Sequence, residues 1–218
     1  MKEYPKIPTI LKRDPITHHV LPGKYSIPEF DYLENNYWWF TEKIDGTNIR
    51  ILWDRFFPEC KNPSIEVRGK TDAAQIPPFL IAKLRQIFGE RNLFVDKFGE
   101  EGDVCLYGEG YGNRIQKNGS KYISDGVDFI LFDVKIGPWW LLRKDIEDIA
   151  TYFDIKVVPI IGCGTLNEAI DITMDGFVSQ WGDFIAEGMV LKPGAELFSR
   201  KGERILAKIK HKDFYRSS

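Results

Sequence analysis

Apolar and polar positions divide the chain into short runs. YWWFTEK from Tyr37 is mostly apolar, breaks at Asp45-Gly46-Thr47-Asn48, and resumes with Ile49, Ile51 and Trp53 at every second position. This predicts strand, turn, strand. SIEVRGK at 64–70, DVCLYGEG at 103–110 and FILFDVKI at 129–136 read as further strands, and Pro138 separates the last from WWLL. Pro77-Pro78 opens FLIAKLRQIFG, whose spacing predicts a helix closing near Gly89. RKDIEDIATYFDI at 143–155 and the stretch from Thr165 are helical in pattern; KVVPIIGCG, GMVLKP at 188–193 and RILAKIKH at 204–211 read as strands. Residues 1–36, rich in Pro and polar residues, are expected to form a wrapped arm with little regular structure, and 37–218 the domain. Strands dominate early and late, without βαβ alternation. That order predicts an α+β fold with a largely antiparallel sheet. In Trp38-Trp39 and Trp139-Trp140, alternation should send one ring of each pair inward.

Composition narrows the class. Of 218 residues, 43% are hydrophobic, enough for a real core. No apolar run is long enough to span a membrane, and MKEYPKIPTILKRDP has no apolar leader core, so a cytoplasmic protein is expected, virus-encoded forms included. Cys60, Cys105 and Cys163 are far apart and read as buried thiols rather than zinc ligands. His18, His19 and His211 have no partners at metal spacing.

Charge changes the picture through its distribution. The net charge is −2. From Lys192 onward, however, eight cations (Lys192, Arg200, Lys201, Arg204, Lys208, Lys210, Lys212, Arg216) face only Glu196, Glu203 and Asp213, so this segment is +5 and the remainder −7. Such asymmetry suits a polyanion-facing surface or a solvated basic tail.

Lys43 ends an apolar strand just before the tight turn at Asp45-Gly46. A lysine there points at whatever the turn cradles. To act as a nucleophile an amine must be unprotonated, and at an ordinary lysine pKa of ~10.4 only about one in 2,500 is neutral at pH 7. Lys208 and Lys210, two apart on a predicted strand, share one face and are candidate cationic neighbours.

Six features then appear in a fixed order. Glu42-Lys43-Ile44-Asp45-Gly46-Thr47-Asn48 resembles motif I of the covalent nucleotidyltransferases, the superfamily of DNA ligases, RNA ligases and mRNA capping enzymes. Its Glu-Lys-x-x-Gly-Thr-Asn form is most similar to the RNA ligase 2 family, although that family often has His where this chain has Asp45. Arg68-Gly69-Lys70 resembles motif Ia, Tyr107-Gly108-Glu109 motif III, Phe129 to Val134 motif IIIa, Glu187 to Lys192 motif IV, and Lys208-Ile209-Lys210 motif V.

The resemblance implies an ATP-grasp-like adenylyltransferase domain of antiparallel sheets with flanking helices. With eight residues after Lys210, no C-terminal oligonucleotide-binding domain is expected. It also implies an ATP-dependent RNA ligase joining 3′-OH and 5′-phosphate ends through lysyl-AMP. Lys43, Lys208 and Lys210 would be catalytic. Glu42, Asp45, Gly46, Asn48, Arg68, Glu109, Phe132 and Lys192 would bind the nucleotide. Phe129 shares with Phe132 the apolar face that stacks a purine. Carboxylates beside phosphates repel unless a cation intervenes, so Glu187 and Glu109 would hold Mg²⁺ or Mn²⁺. The partner expected is RNA, with a monomer favoured. A minimal DNA ligase, a GTP-using guanylyltransferase and a non-catalytic RNA-end-binding module are the alternatives.

Overall fold

The computed structural model describes residues 3–55 and 62–215; Cys60 and Arg216 lie outside them. In chain order the elements are β1 (Leu11–Arg13), β2 (Val20–Tyr25), α1 (Pro28–Tyr32), β3 (Trp38–Glu42), β4 (Thr47–Asp54), β5 (Ser64–Gly69), α2 (Pro78–Phe88), α3 (Arg91–Phe98), β6 (Val104–Gly112), α4 (Gly119–Tyr122), β7 (Val127–Ile136), β8 (Trp139–Trp140), α5 (Arg143–Tyr152), β9 (Lys156–Val157), β10 (Ile160–Gly164), α6 (Leu166–Asp175), β11 (Gly188–Pro193) and β12 (Ala207–Lys210). The chain divides into two compact units, one of Met1–Tyr4 and Asp45–Val158, the other of Pro5–Ile44 and Pro159–Ser218. The stretch expected as one domain from residue 37 is thus shared between both units.

In the first unit, a six-stranded sheet runs β5-β4-β6-β7-β8, with β9 parallel to β7 and the remaining pairs antiparallel. The alternation of Ile49, Ile51 and Trp53 sends these side chains to one face, with Leu106, Phe129 and Leu131 from β6 and β7. Leu80, Leu84 and Phe88 form the apolar stripe of α2, four residues apart, and pack there with Phe94 of α3. The sequence pattern gave no sign of α3, whose eight residues carry a single fully buried side chain. The opposite face carries polar groups beside the buried Leu52 and Cys105. Cross-strand partners Asn48 and Glu109, Arg50 and Arg68, and Arg50 and Tyr107 all lie on it.

In the second unit the sheet order is β10-β3-β11-β12, all antiparallel. Trp38, Phe40, Met189, Leu191, Ala207 and Ile209 bury one face against Leu166 and Ala169 of α6. Thr165 caps α6 through a reciprocal bond pair with Glu168, a device worth about 1 kcal/mol. The arm is more ordered than its composition suggests. Most of it belongs to this unit, and it supplies the β1–β2 hairpin, helix α1 opened by Pro28, and the core residues Ile10, Leu11 and Phe30. These apolar residues are too sparse to show a period. Ile10 N–H donates to the Lys208 carbonyl (2.9 Å) and Lys208 N–H to the Pro8 carbonyl (3.0 Å), so the arm borders β12.

KVVPIIGCG, expected as one strand, splits at Pro159 into β9 and β10, which belong to different units. Proline has no N–H to give a ladder. Trp38 is buried and Trp39 exposed, as alternation requires. Cys105 is buried, which pushes its thiol up to about 12, whereas Cys163 is exposed, contrary to the expectation of buried thiols. No helix among the described residues is long and apolar enough to cross a membrane.

Candidate active site

The second unit supplies the lysines. On β3, Trp38 and Phe40 point into the core, so Trp39, Thr41 and the following Lys43 lie on the other face. Thr41 pairs with Val190 and Trp39 with Lys192 across β11, and Val190 pairs with Lys208 across β12. Lys43 N–H bonds the Gly188 carbonyl (2.9 Å), and Gly188 pairs with Lys210. Directly opposed residues share a face. Four of the sequence-picked lysines, Lys43, Lys192, Lys208 and Lys210, therefore occupy one face of one sheet.

Glu187 joins two of them. Its Oε2 lies 2.6 Å from Lys43 Nζ and its Oε1 2.5 Å from Lys210 Nζ, so each carboxylate oxygen takes one ammonium. The side chain is only 12% exposed. Burial alone would raise its pKa, but the charge of Lys43 and the bonds from Lys210 and Lys43 outweigh burial and hold it below the ordinary carboxylate value. The His211 N–H fixes the backbone here by donating to the Glu187 carbonyl (3.0 Å). Gly188 has φ +150°, and a Cβ on it would lie 2.1 Å from the Ile209 carbonyl oxygen. A side chain there would push β12 from β11.

Glu42 sits on the opposite side of β3 from Lys43. It is buried, accepting from Ser179 Oγ (2.6 Å) and Gln180 N–H (2.8 Å), and burial pushes its pKa up against those two bonds. Its place is to tie the segment after α6 to the strand that carries Lys43. Arg204, counted in the basic segment, is nearly buried and holds Glu196 through two bonds.

The first unit by itself holds the turn and a face with polar groups of its own. Gly46 packs so tightly that a Cβ would lie 2.4 Å from the Gly110 carbonyl oxygen and 2.6 Å from Glu109 Cγ. The segment between β6 and β7 braces this turn: Gln116 Nε2 donates to the Gly46 carbonyl (3.0 Å), and the Asp45 N–H to Tyr122 Oη (3.2 Å). Gln116 and Tyr122 lie in a stretch without apolar period, and nothing in the sequence singled them out.

Asn48 and Glu109 stand opposite each other, and Asn48 Oδ1 is buried without a hydrogen-bond partner. Arg68 faces Arg50 across the strands, an arrangement that repels unless bridged. Asp72 bridges it, with Oδ1 2.7 Å from Arg50 and 3.1 Å from Arg68. Arg68 also binds Glu66 (2.7 Å). Between Leu131 and Asp133, β7 carries one extra residue opposite β6, and that residue is Phe132. Phe129 is fully buried in the core, whereas Phe132, at the bulge, meets Tyr4 edge-on at 5.0 Å. Tyr4 also donates to Asp133 (2.8 Å).

A divalent cation can be tested against these groups. Among the described residues no cluster of three or more His, Cys, Asp or Glu is placed to hold one. Mg²⁺ commonly takes one or two carboxylates with substrate phosphates completing its shell. Glu187, with two ammoniums that phosphate oxygens can draw away, fits a site of that kind.

A lysine-bearing sheet face with a carboxylate at its end has the charges to hold anionic oxygens and a cation together. The RNA ligase family model matches residues 36–210, and the chain belongs to that family. Among solved structures, a mutant Naegleria gruberi RNA ligase with ATP and Mn matches at TM-score 0.64 and 18% identity, over 98% of this chain and 64% of that one. The Naegleria gruberi RNA ligase with PPi gives 0.63 and 20%, over 98% and 63%. An archaeal ATP-dependent RNA ligase gives 0.62 and 16%, over 99% and 50%. At these identities the likeness is one of fold, and the chain spans between half and two-thirds of those proteins' lengths. No curated protein matches significantly.

Proposed function

We propose that the chain is an ATP-dependent RNA ligase working through an adenylate on Lys43. The unprotonated Lys43 amine attacks the α-phosphorus of ATP; the bond to the bridging oxygen breaks and pyrophosphate leaves. An RNA 5′-phosphate oxygen then attacks the same phosphorus and frees the lysine. Finally a 3′-OH attacks the activated 5′-phosphorus, and AMP departs.

The observation that carries this reading is the Lys43–Glu187–Lys210 cluster on a face that also bears Lys192 and Lys208. Charge grows on the phosphate oxygens during each transfer, and fixed cations stabilise it. Glu187 gives Lys43 a resting partner that must be exchanged before the amine can attack. A divalent cation held by Glu187 and phosphate oxygens would neutralise charge in that step. ATP and metal are supported by the Naegleria gruberi ligase structures with ATP and Mn, and the nucleotide also by the archaeal ATP-dependent ligase.

The test is RNA joining with ATP and Mg²⁺. Lys43→Ala should abolish joining of 5′-phosphate RNA while still sealing pre-adenylylated RNA, because the last step needs no lysine nucleophile. Equal loss on both substrates would remove Lys43 from the nucleophile's role.

A further inference from the structure

Two aromatic rings stay half in solvent on the lysine-bearing face of the second unit. Tyr37 is 50% exposed and Trp39 40%, and they meet edge to face at 5.2 Å. Trp39 has Cys163 opposite it on β10 and Lys192 on β11. Ile160, Thr41, Val190 and Lys208 form the next row, and neither row holds an acidic residue. At about 3.3 Å per residue, Trp39 stands roughly 13 Å along the strand from Lys43. The Tyr37 ring is already held in place. A Cβ on Gly194 would lie 3.1 Å from Tyr37 Cδ1, so the ring rests on the Gly194 backbone, whose N–H donates to the Tyr37 carbonyl (2.9 Å). Cys163 shares a hydrogen bond with the Tyr37 side chain. A single exposed aromatic is ordinary. A preordered pair beside cations offers flat apolar area at little entropic cost, to a ligand that carries both flat rings and negative charge. An unpaired RNA strand has a base face and a phosphate in every nucleotide. In a duplex the base faces are stacked on one another and cannot reach a protein ring.

We propose that Tyr37 and Trp39 form a stacking platform for unpaired bases of the RNA whose end reaches Lys43, so that the chain takes single-stranded rather than duplex ends. The inference rests on the RNA ligase reading and adds a substrate class to it. The lysines of the same face meet the phosphates of the strand, and the two rings meet its bases. Stacking tolerates any base, so the platform selects for an unpaired strand and not for a sequence.

The experiment is fluorescence anisotropy of the full chain with three 5′-labelled probes: a short unstructured RNA, the same RNA annealed to its complement, and a sugar-phosphate strand of equal length without bases. The unstructured RNA should bind about tenfold more tightly than either of the others. Trp39→Ala should lose about tenfold on that RNA alone, and Trp39→Phe, which keeps a flat ring, should restore most of it. The salt dependence of binding should not change in Trp39→Ala, because the lysines that meet phosphate remain; a variant that had merely lost its sheet would lose that slope as well. Self-adenylylation from ATP should be normal in both variants. Equal binding of all three probes by the wild type, or an unweakened Trp39→Ala, would overturn the proposal. So would a Trp39→Ala whose adenylylation falls as far as its RNA binding, which would assign the rings to the base of ATP. The binding assay needs neither ATP nor joining. Normal adenylylation without a single-strand preference sinks the platform alone; a Trp39-dependent preference without adenylylation sinks the ligase reading alone.

Discussion

Lys43 and Glu187, 144 residues apart in sequence, meet at 2.6 Å. Two backbone bonds fix the encounter: Lys43 N–H to the Gly188 carbonyl, and His211 N–H to the Glu187 carbonyl. The nucleophile proposed here is thus held by the ends of three strands rather than by a flexible loop.

Removing the carboxylate leaves two ammoniums without their common partner. Glu187→Gln should lower unfolding free energy by about 1.5–3 kcal/mol, the usual worth of hydrogen bonds to charged groups. Adenylylation should fall by about 10²–10³. Urea melts and single-turnover labelling check the two numbers; a stable variant with normal labelling contradicts both.

The stability loss should depend on pH with a definite sign. The folded pKa of Glu187 is depressed, so its contribution is complete above the unfolded value of ~4.3 and disappears as pH falls through the folded one. The gap between wild type and Glu187→Gln should be widest above about pH 5 and close in more acid solution. Glu42, whose pKa is raised by burial, acts with the opposite sign in both proteins and cancels in the difference. Melting temperatures across the acid range decide it; a gap that widens on acidification contradicts the assignment.

Much of this site was legible in the chain. The alternation in RILAKIKH placed Lys208 and Lys210 together, and the break at Asp45-Gly46 placed Lys43 at a strand end. The division into two units was not legible, because strands of both interleave along the sequence and Pro159 alone marks one crossing. Alternation sends Phe129 and Phe132 to opposite faces of β7, but the sequence alone did not show which face is the core; the packing of Phe129 against α2 and α3 residues does. Gln116, Tyr122 and Asp72 lie outside periodic stretches, and their roles come from long-range packing that no local pattern encodes.

Gly188→Ala should be among the most damaging small changes. A Cβ there meets backbone on β12, which cannot step aside, and the φ of +150° disfavours any side chain. Overpacking of this kind costs about 1–3 kcal/mol. The melting temperature should drop and Lys210 should lose its register with Glu187, so labelling falls too. An unchanged melt would contradict this account of the β11–β12 pair.

Arg68 and Lys210 should separate the steps of joining. Lys210→Ala should slow self-adenylylation itself by about 10²–10³. Arg68→Ala should impair sealing more than labelling, because the motif Ia resemblance assigns Arg68 to the RNA end rather than to the triphosphate. Rates of labelling, and of sealing pre-adenylylated RNA, measured for both variants, give the comparison; matching profiles would show that the two residues serve one step.

The central claim is that Lys43 carries AMP. Wild-type protein incubated with Mg²⁺ and α-labelled ATP, then denatured, should retain acid-labile, base-stable label that maps to the peptide containing Lys43. Lys43→Ala should retain none, and α-labelled GTP should give none with either protein. Label that survives in the alanine variant, or equal labelling from GTP, would contradict the account.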